Sequence, residues 1–153
     1  MSVMWKYLDK RAAAISAIKD YESMLFIINN TDEEIKATRD RMMPLGSPAW
    51  DGMPHAHNPK ATENQIVKVI DEIDVLKERY RQAVEFINWF EPAWKQLSDD
   101  DQYVLEAFYS DANSYGSNAA TYVAGYLHIE PSTAYKRKNR ALDRLTVLLF
   151  GKE

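Results

Sequence analysis

The stretch Ala119-Ala120-Thr121-Tyr122-Val123-Ala124-Gly125-Tyr126-Leu127-His128-Ile129-Glu130-Pro131-Ser132-Thr133-Ala134-Tyr135-Lys136-Arg137-Lys138-Asn139-Arg140-Ala141-Leu142-Asp143-Arg144-Leu145 reads as a short helix, a tight turn and a second helix. Val123, Ala124 and Leu127 fall on one face of the first helix, and the small Ala124 lets another helix cross closely over it. His128 falls where the chain must turn, and His tolerates a left-handed backbone better than most residues other than glycine. Pro131 has the fixed φ that suits the first position of a new helix. In that helix Ala134, Ala141, Leu142, Leu145 and Leu149 recur at a spacing close to 3.6 and form a core line. The opposite face carries Ser132, Thr133, Lys136, Arg137, Asn139, Arg140 and Arg144. Two helices joined by a turn, the second one basic, form the helix-turn-helix arrangement that enters a DNA major groove.

Just upstream, Ser98-Asp99-Asp100-Asp101 predicts a helix start, with Ser98 as cap and carboxylates at the positive end of the helix. Successive helical residues point in different directions, so this acidic run is read as capping rather than as a cation site. Tyr103, Val104, Ala107 and Phe108 are expected to bury the inner face of that helix.

The segment Leu97-Ser98-Asp99-Asp100-Asp101-Gln102-Tyr103-Val104-Leu105-Glu106-Ala107-Phe108-Tyr109, followed by Val123-Ala124, Leu127-His128-Ile129 and Ser132 to Arg137, resembles the promoter-reading C-terminal domain (region 4) of sigma factors. The chain as a whole resembles the small sigma-like regulators of phages and prophages in Gram-positive bacteria, including late-transcription activators of the ArpU and RinA type. The resemblance implies double-stranded DNA and RNA polymerase as partners. In three places the chain departs from that pattern. His128 stands where the family usually has Gly, Glu130 where it usually has a good cap, and the loop from Ser110 to Asn118 is longer than usual.

Working back toward the N-terminus, Thr62 is read as the cap of a long helix. Ile66, Val69, Ile73, Leu76, Tyr80, Ala83, Ile87 and Phe90 alternate at threes and fours along it, and Glu91-Pro92 is expected to end it. A second stripe (Leu8, Ala12, Ile15, Ile18, Tyr21, Leu25, Ile28, Ile35 and Met42) predicts helix from about Trp5, with Thr31-Asp32-Glu33-Glu34 as a capping-box-like restart where the chain either bends or runs on as one long helix to about Met43. Between the two stripes, residues 44–59 hold four prolines and two glycines, so the chain there is read as loop. The expected architecture is all-α. Residues 1–91 form a long antiparallel, coiled-coil-like helical hairpin with a Pro/Gly-rich loop at 44–61, and residues 92–153 form a sigma region 4-like helix-turn-helix bundle. The stripes pair either within one chain or between two copies, the second case giving a homodimer.

The composition, 46% hydrophobic and 27% charged over 153 residues, is that of a globular protein rather than a disordered one. Without cysteine there are no disulfides or thiolate metal sites, which is compatible with a reducing compartment and an expected cytoplasmic location. No run of about 18 apolar residues is present, so no membrane partner is expected, and the mixed charges of the first residues do not read as a signal peptide.

The net charge of −4 hides a split. Residues 127–153 hold six basic residues against three acids, whereas residues 98–118 hold five acids and no base. A local basic face is enough to engage phosphates.

Within the second helix, Lys136, Arg137 and Arg140 are placed to reach guanine edges or phosphates, and Asn139 to reach adenine. Ser132 and Thr133 near the helix N-terminus suit phosphates, as does Arg144 further along. Tyr135 packs either on a sugar or thymine methyl or over the turn. Lys138 is expected along the core edge with its ammonium in water.

His55 and His57 with Asp51 lack a third and fourth ligand at recognisable spacing, so no metal is expected. No phosphate-binding glycine loop or nucleophile–base order is present, so no catalytic residues, no cofactor and no enzymatic activity are expected. The competing expectation is a structural or interaction protein, such as a small terminase-like phage packaging component, which also joins a helix-turn-helix to helical arms.

Overall fold

A computed structural model describes residues 8–42 and 59–151. The chain is all-α, with α1 at Lys10–Met42, α2 at Pro59–Gln96, α3 at Asp99–Tyr109, α4 at Ala119–Leu127 and α5 at Pro131–Phe150. The Pro/Gly-rich residues 44–58, and with them Asp51, His55, His57 and Trp50, lie outside the described residues, as does the predicted helix start at Trp5.

Among the described residues α1 starts at Lys10, because Asp9 caps it: its Oδ1 accepts the Ala12 N–H at 3.0 Å. Thr31 marks no restart, and the reading of one long helix holds, as far as Met42. Thr31 sits inside an unbroken α1, where its hydroxyl donates to the Ile27 carbonyl one turn back. Likewise, α2 begins at Pro59 rather than after a cap at Thr62, and it does not end at Glu91-Pro92. Pro92 has no N–H for the carbonyl four residues earlier. The helix runs on to Gln96 because Phe90, Ala93, Trp94 and Leu97 are buried together, and that burial offsets the missing bond.

The chain forms two compact units: one holds the residues up to Met24 together with Glu85 onward, the other Leu25–Val84. This division falls at neither side of residue 91. Ala14, Ala17 and Ile18 of α1 and Phe90, Ala93 and Trp94 of α2 share one core with Leu105 of α3 and Ala141, Leu142, Leu145 and Leu149 of α5. A boundary at 91/92 would cut through that core. Tyr21 lies against Phe90 and Trp94, with ring centroids 5.0 and 6.3 Å apart. A second cluster joins Val104 and Ala107 of α3, Ala120, Val123 and Ala124 of α4, and Ala134 of α5.

In the other unit Val69, Ile73 and Ala83 of α2 are buried, together with Thr31 and Thr38 of α1, and Arg41 pairs with Glu72 at 2.8 Å. Arg41 with Glu72 in this unit, and Ile18 with Phe90 in the other, bring α1 and α2 together within one chain. The α1 stripe holds from Ile15 to Ile35, all buried or half-buried, but Leu8 and Ala12 are exposed. Their place is taken by the small Ala14 and Ala17.

Candidate nucleic-acid interface

The candidate interface is built from α3, α4 and α5. Ser98 starts α3 as the sequence implied, its Oγ accepting the Asp101 N–H at 3.2 Å. α4 ends at His128, which adopts the left-handed conformation (φ 55°, ψ 46°). The His128 N–H returns to the Ala124 carbonyl, and so does that of Ile129, at 3.0 Å. This closes the turn in the manner of a Schellman cap, with Ile129 packed against the cluster that contains Ala124. Pro131 then opens α5; Glu130 stands at the cap position without a side-chain capping bond. The longer loop between α3 and α4 is tied down by the Tyr115 N–H, which donates to the Ala107 carbonyl at 3.0 Å. It is also held by Asn113 Nδ2, which donates to Glu22 at 2.9 Å.

On α5, Ala134, Ala141, Leu142, Leu145 and Leu149 are buried as the periodicity predicts, while Ser132, Thr133, Tyr135, Lys136, Asn139, Arg140 and Arg144 are exposed. The predicted contact residues separate into groups with different neighbours. Ser132 and Thr133 lie in the first turn and Lys136 and Arg140 one and two turns on, so these four share the outward face. Lys136 and Arg140 make no ion pair among the described residues.

Arg137 and Arg144 instead turn toward α3. Arg137 Nε donates to Asp101 Oδ1 at 3.3 Å and Arg144 Nη1 to Asp101 Oδ2 at 2.9 Å. Asn139 is engaged on the opposite flank, where its Oδ1 accepts from Arg11 Nη2 at 2.8 Å, and Arg11 also pairs with Asp143 at 3.1 Å. Tyr135 rests on Phe108 of α3 with centroids 5.7 Å apart and is half exposed. Lys138 does not simply extend into water. Its ammonium stands 5.2 Å from the Phe108 ring, 5.4 Å from Tyr135 and 5.9 Å from Tyr109, a cation–π cage.

Away from the basic face, Tyr103 stacks on Tyr126 at 4.0 Å and Tyr115 on Tyr122 at 4.2 Å. Burial pushes the Tyr103 hydroxyl above its usual range, and its hydrogen bond with Tyr115 adds to the rise. Burial also raises the Glu106 carboxyl, with the nearby Glu22 charge adding to it. Burial raises Tyr109 as well, against the lowering effect of Arg11. Among the described residues no group of three or more His, Asp or Glu side chains is placed to hold a metal ion, and no helix is long and apolar enough to cross a membrane.

Sequence reasoning missed the double role of Asp101, although a signal was present. Asp101, Leu105 and Phe108 recur at i, i+4 and i+7, which places a carboxylate on the buried side of α3. Nothing in the sequence pointed to Arg11 as a neighbour of α5, since that contact joins residues more than a hundred positions apart. In comparisons with known proteins, no family model, no curated protein and no solved structure matches this chain.

Proposed function

We propose that this protein is a sequence-specific binder of double-stranded DNA that regulates transcription in the sigma-like manner. In this reading it is phage- or prophage-encoded and works in the cytoplasm with RNA polymerase. The observation that carries the proposal is the outward face of α5. Ser132, Thr133, Lys136 and Arg140 stand exposed on the second helix of a helix–turn–helix, and both cations are free of internal ion pairs among the described residues. An α-helix fits the major groove, and a helix N-terminus with hydroxyl side chains suits phosphate. Lys136 is assigned to base edges and Arg140 to base edges or backbone. Selection of bound fragments from a random DNA pool with the purified protein tests this proposal. Enrichment of one motif supports it, and a pool that stays random after repeated rounds defeats it.

A second reading, a helical protein–protein interaction or packaging component, is favoured by one feature of the Leu25–Val84 unit. Val67 and Val75 are more than half exposed and line an open groove of about 800 Å³ with Ala37, Thr38 and Leu76. Mass in solution separates the readings: a large ring points to packaging, a monomer or dimer to regulation.

A further inference from the structure

Asp101 is the most deeply buried carboxylate next to the proposed interface, its side chain only 5% exposed, and it holds two arginines of α5 at once. Arg137 and Arg144 are seven residues apart, roughly 10 Å along the helix axis at 1.5 Å per residue. They converge on this single group from two turns of α5, one on each oxygen. Each guanidinium spends only part of its donor set. Arg137 uses Nε and Arg144 uses Nη1, while 34% and 55% of the two side chains remain open to solvent. A guanidinium carries five N–H donors in a rigid fork, so a carboxylate can grip one edge while a second acceptor takes another.

We infer that Asp101 is a positioning residue for DNA recognition: it clamps Arg137 and Arg144 along the α3-facing flank of α5 and presents their free N–H edges to DNA in a fixed orientation. This rests on the DNA-binding reading above. Free arginines would retain their charge but lose their aim, so the clamp bears on discrimination between sites more than on bare attraction to phosphate. On this inference the contact persists in the bound state, which makes the carboxylate a buttress and not a latch that DNA must open.

The test uses the full chain with a DNA site selected from the random pool and a scrambled site of equal length. Asp101→Asn keeps the shape and removes the charge. It should weaken binding to the selected site about tenfold, the scale of one well-placed recognition contact, while affinity for the scrambled site changes less than about threefold. Asp101→Glu, which keeps the carboxylate, should recover part of the lost ratio. An unchanged ratio with Asp101→Asn overturns the inference and leaves a purely structural ion pair. A parallel rise in both affinities, with a steeper salt dependence, overturns it in favour of a latch.

A measurement on the unaltered protein stands even if these variants fail to fold. The Arg137 Nε–H resonance should be slow to exchange in the free protein and remain so in the DNA complex. Its loss on binding overturns the clamp. If the unaltered protein binds no DNA at any salt, the functional reading falls and this inference with it. Normal binding with an unchanged ratio in Asp101→Asn removes the inference alone.

Discussion

At the scale of single residues, the environments of Glu106 and His128 give opposite kinds of conformational cost. Glu106 lies on α3, and burial raises its carboxyl, with the Glu22 charge adding to the effect. A carboxyl whose folded value lies above its unfolded one binds more protons when folded, so stability falls as pH rises from the ordinary glutamate range through the raised value. Glu106→Gln is therefore expected to melt above the parent at pH 7, with the gap closing as the pH falls below the ordinary glutamate range. Thermal melts at several pH values read this directly, and a gap that widens in acid contradicts it. His128 holds φ 55° with an exposed side chain, so glycine there loses no packing and removes steric strain. A left-handed non-glycine residue costs roughly 1–2 kcal/mol, and glycine's greater freedom in the unfolded chain takes back about 0.5–1 kcal/mol. His128→Gly should thus stabilise by up to about 1.5 kcal/mol in denaturant titration.

At the scale of elements, α1 and α2 each contribute to both compact units, and the two contributions differ in kind. Near the ends that meet α5, α2 buries Phe90 and Trp94, and Phe90 stacks at 5.4 Å on Phe86 and 5.6 Å on Trp94. Among the described residues of the Leu25–Val84 unit the buried side chains are Val69, Ile73, Ala83, Thr31 and Thr38, a thin core with two threonines whose hydroxyls are satisfied by their own helix. Few apolar groups there mean that each one matters more. Ile73→Ala should cost about 2–4 kcal/mol. It should abolish hydrogen-exchange protection of amides around Val69–Tyr80 while leaving those of Val104 and Leu142 protected. Equal loss of protection in both regions would mean that the units unfold as one. Pro92 teaches a related lesson: a helix breaker inside α2 is overridden where the residues on both sides of it are buried.

At the scale of the molecule, the opposed charges of α3 and α5 set what DNA would feel. The segment from residue 98 to 118 holds five acids and no base, and one of its carboxylates, Asp101, is already balanced by two α5 arginines. That leaves Lys136 and Arg140 as full contributors and Arg137 and Arg144 as partial ones. The logarithm of the DNA association constant should fall against the logarithm of salt with a slope of about −2 to −4. Replacing Lys136 and Arg140 together by Ala should make that slope shallower by about two units. Anisotropy titrations from low to moderate salt measure both values. A slope indifferent to the double substitution would move the contact surface off the outward face of α5.

Local chemistry by itself determined the all-helical class, the cap at Ser98, the left-handed turn at His128, the start of α5 at Pro131 and the buried line from Ala134 to Leu149. Each depends on neighbours within about one or two helical turns, where spacing and backbone preference suffice. The α2 stripe was legible for the same reason at Val69, Ile73, Ala83 and Phe90, whereas Ile66 and Tyr80 are exposed. Tertiary structure alone decided which face of α1 turns inward near its start. There Ala14 and Ala17 are buried in place of Leu8 and Ala12, since small residues admit a close neighbour that no single-helix pattern announces. It also decided that α2 continues through Pro92, because only the assembled core supplies the burial that offsets a missing hydrogen bond. The basic face was divided in the same way: Arg137 and Arg144 are bound to Asp101, Asn139 is held by Arg11, and Lys136 and Arg140 are left outward. Charge is written in the sequence, but whether a charge is spent inside the fold depends on what lies across the helix, and that is a property of packing.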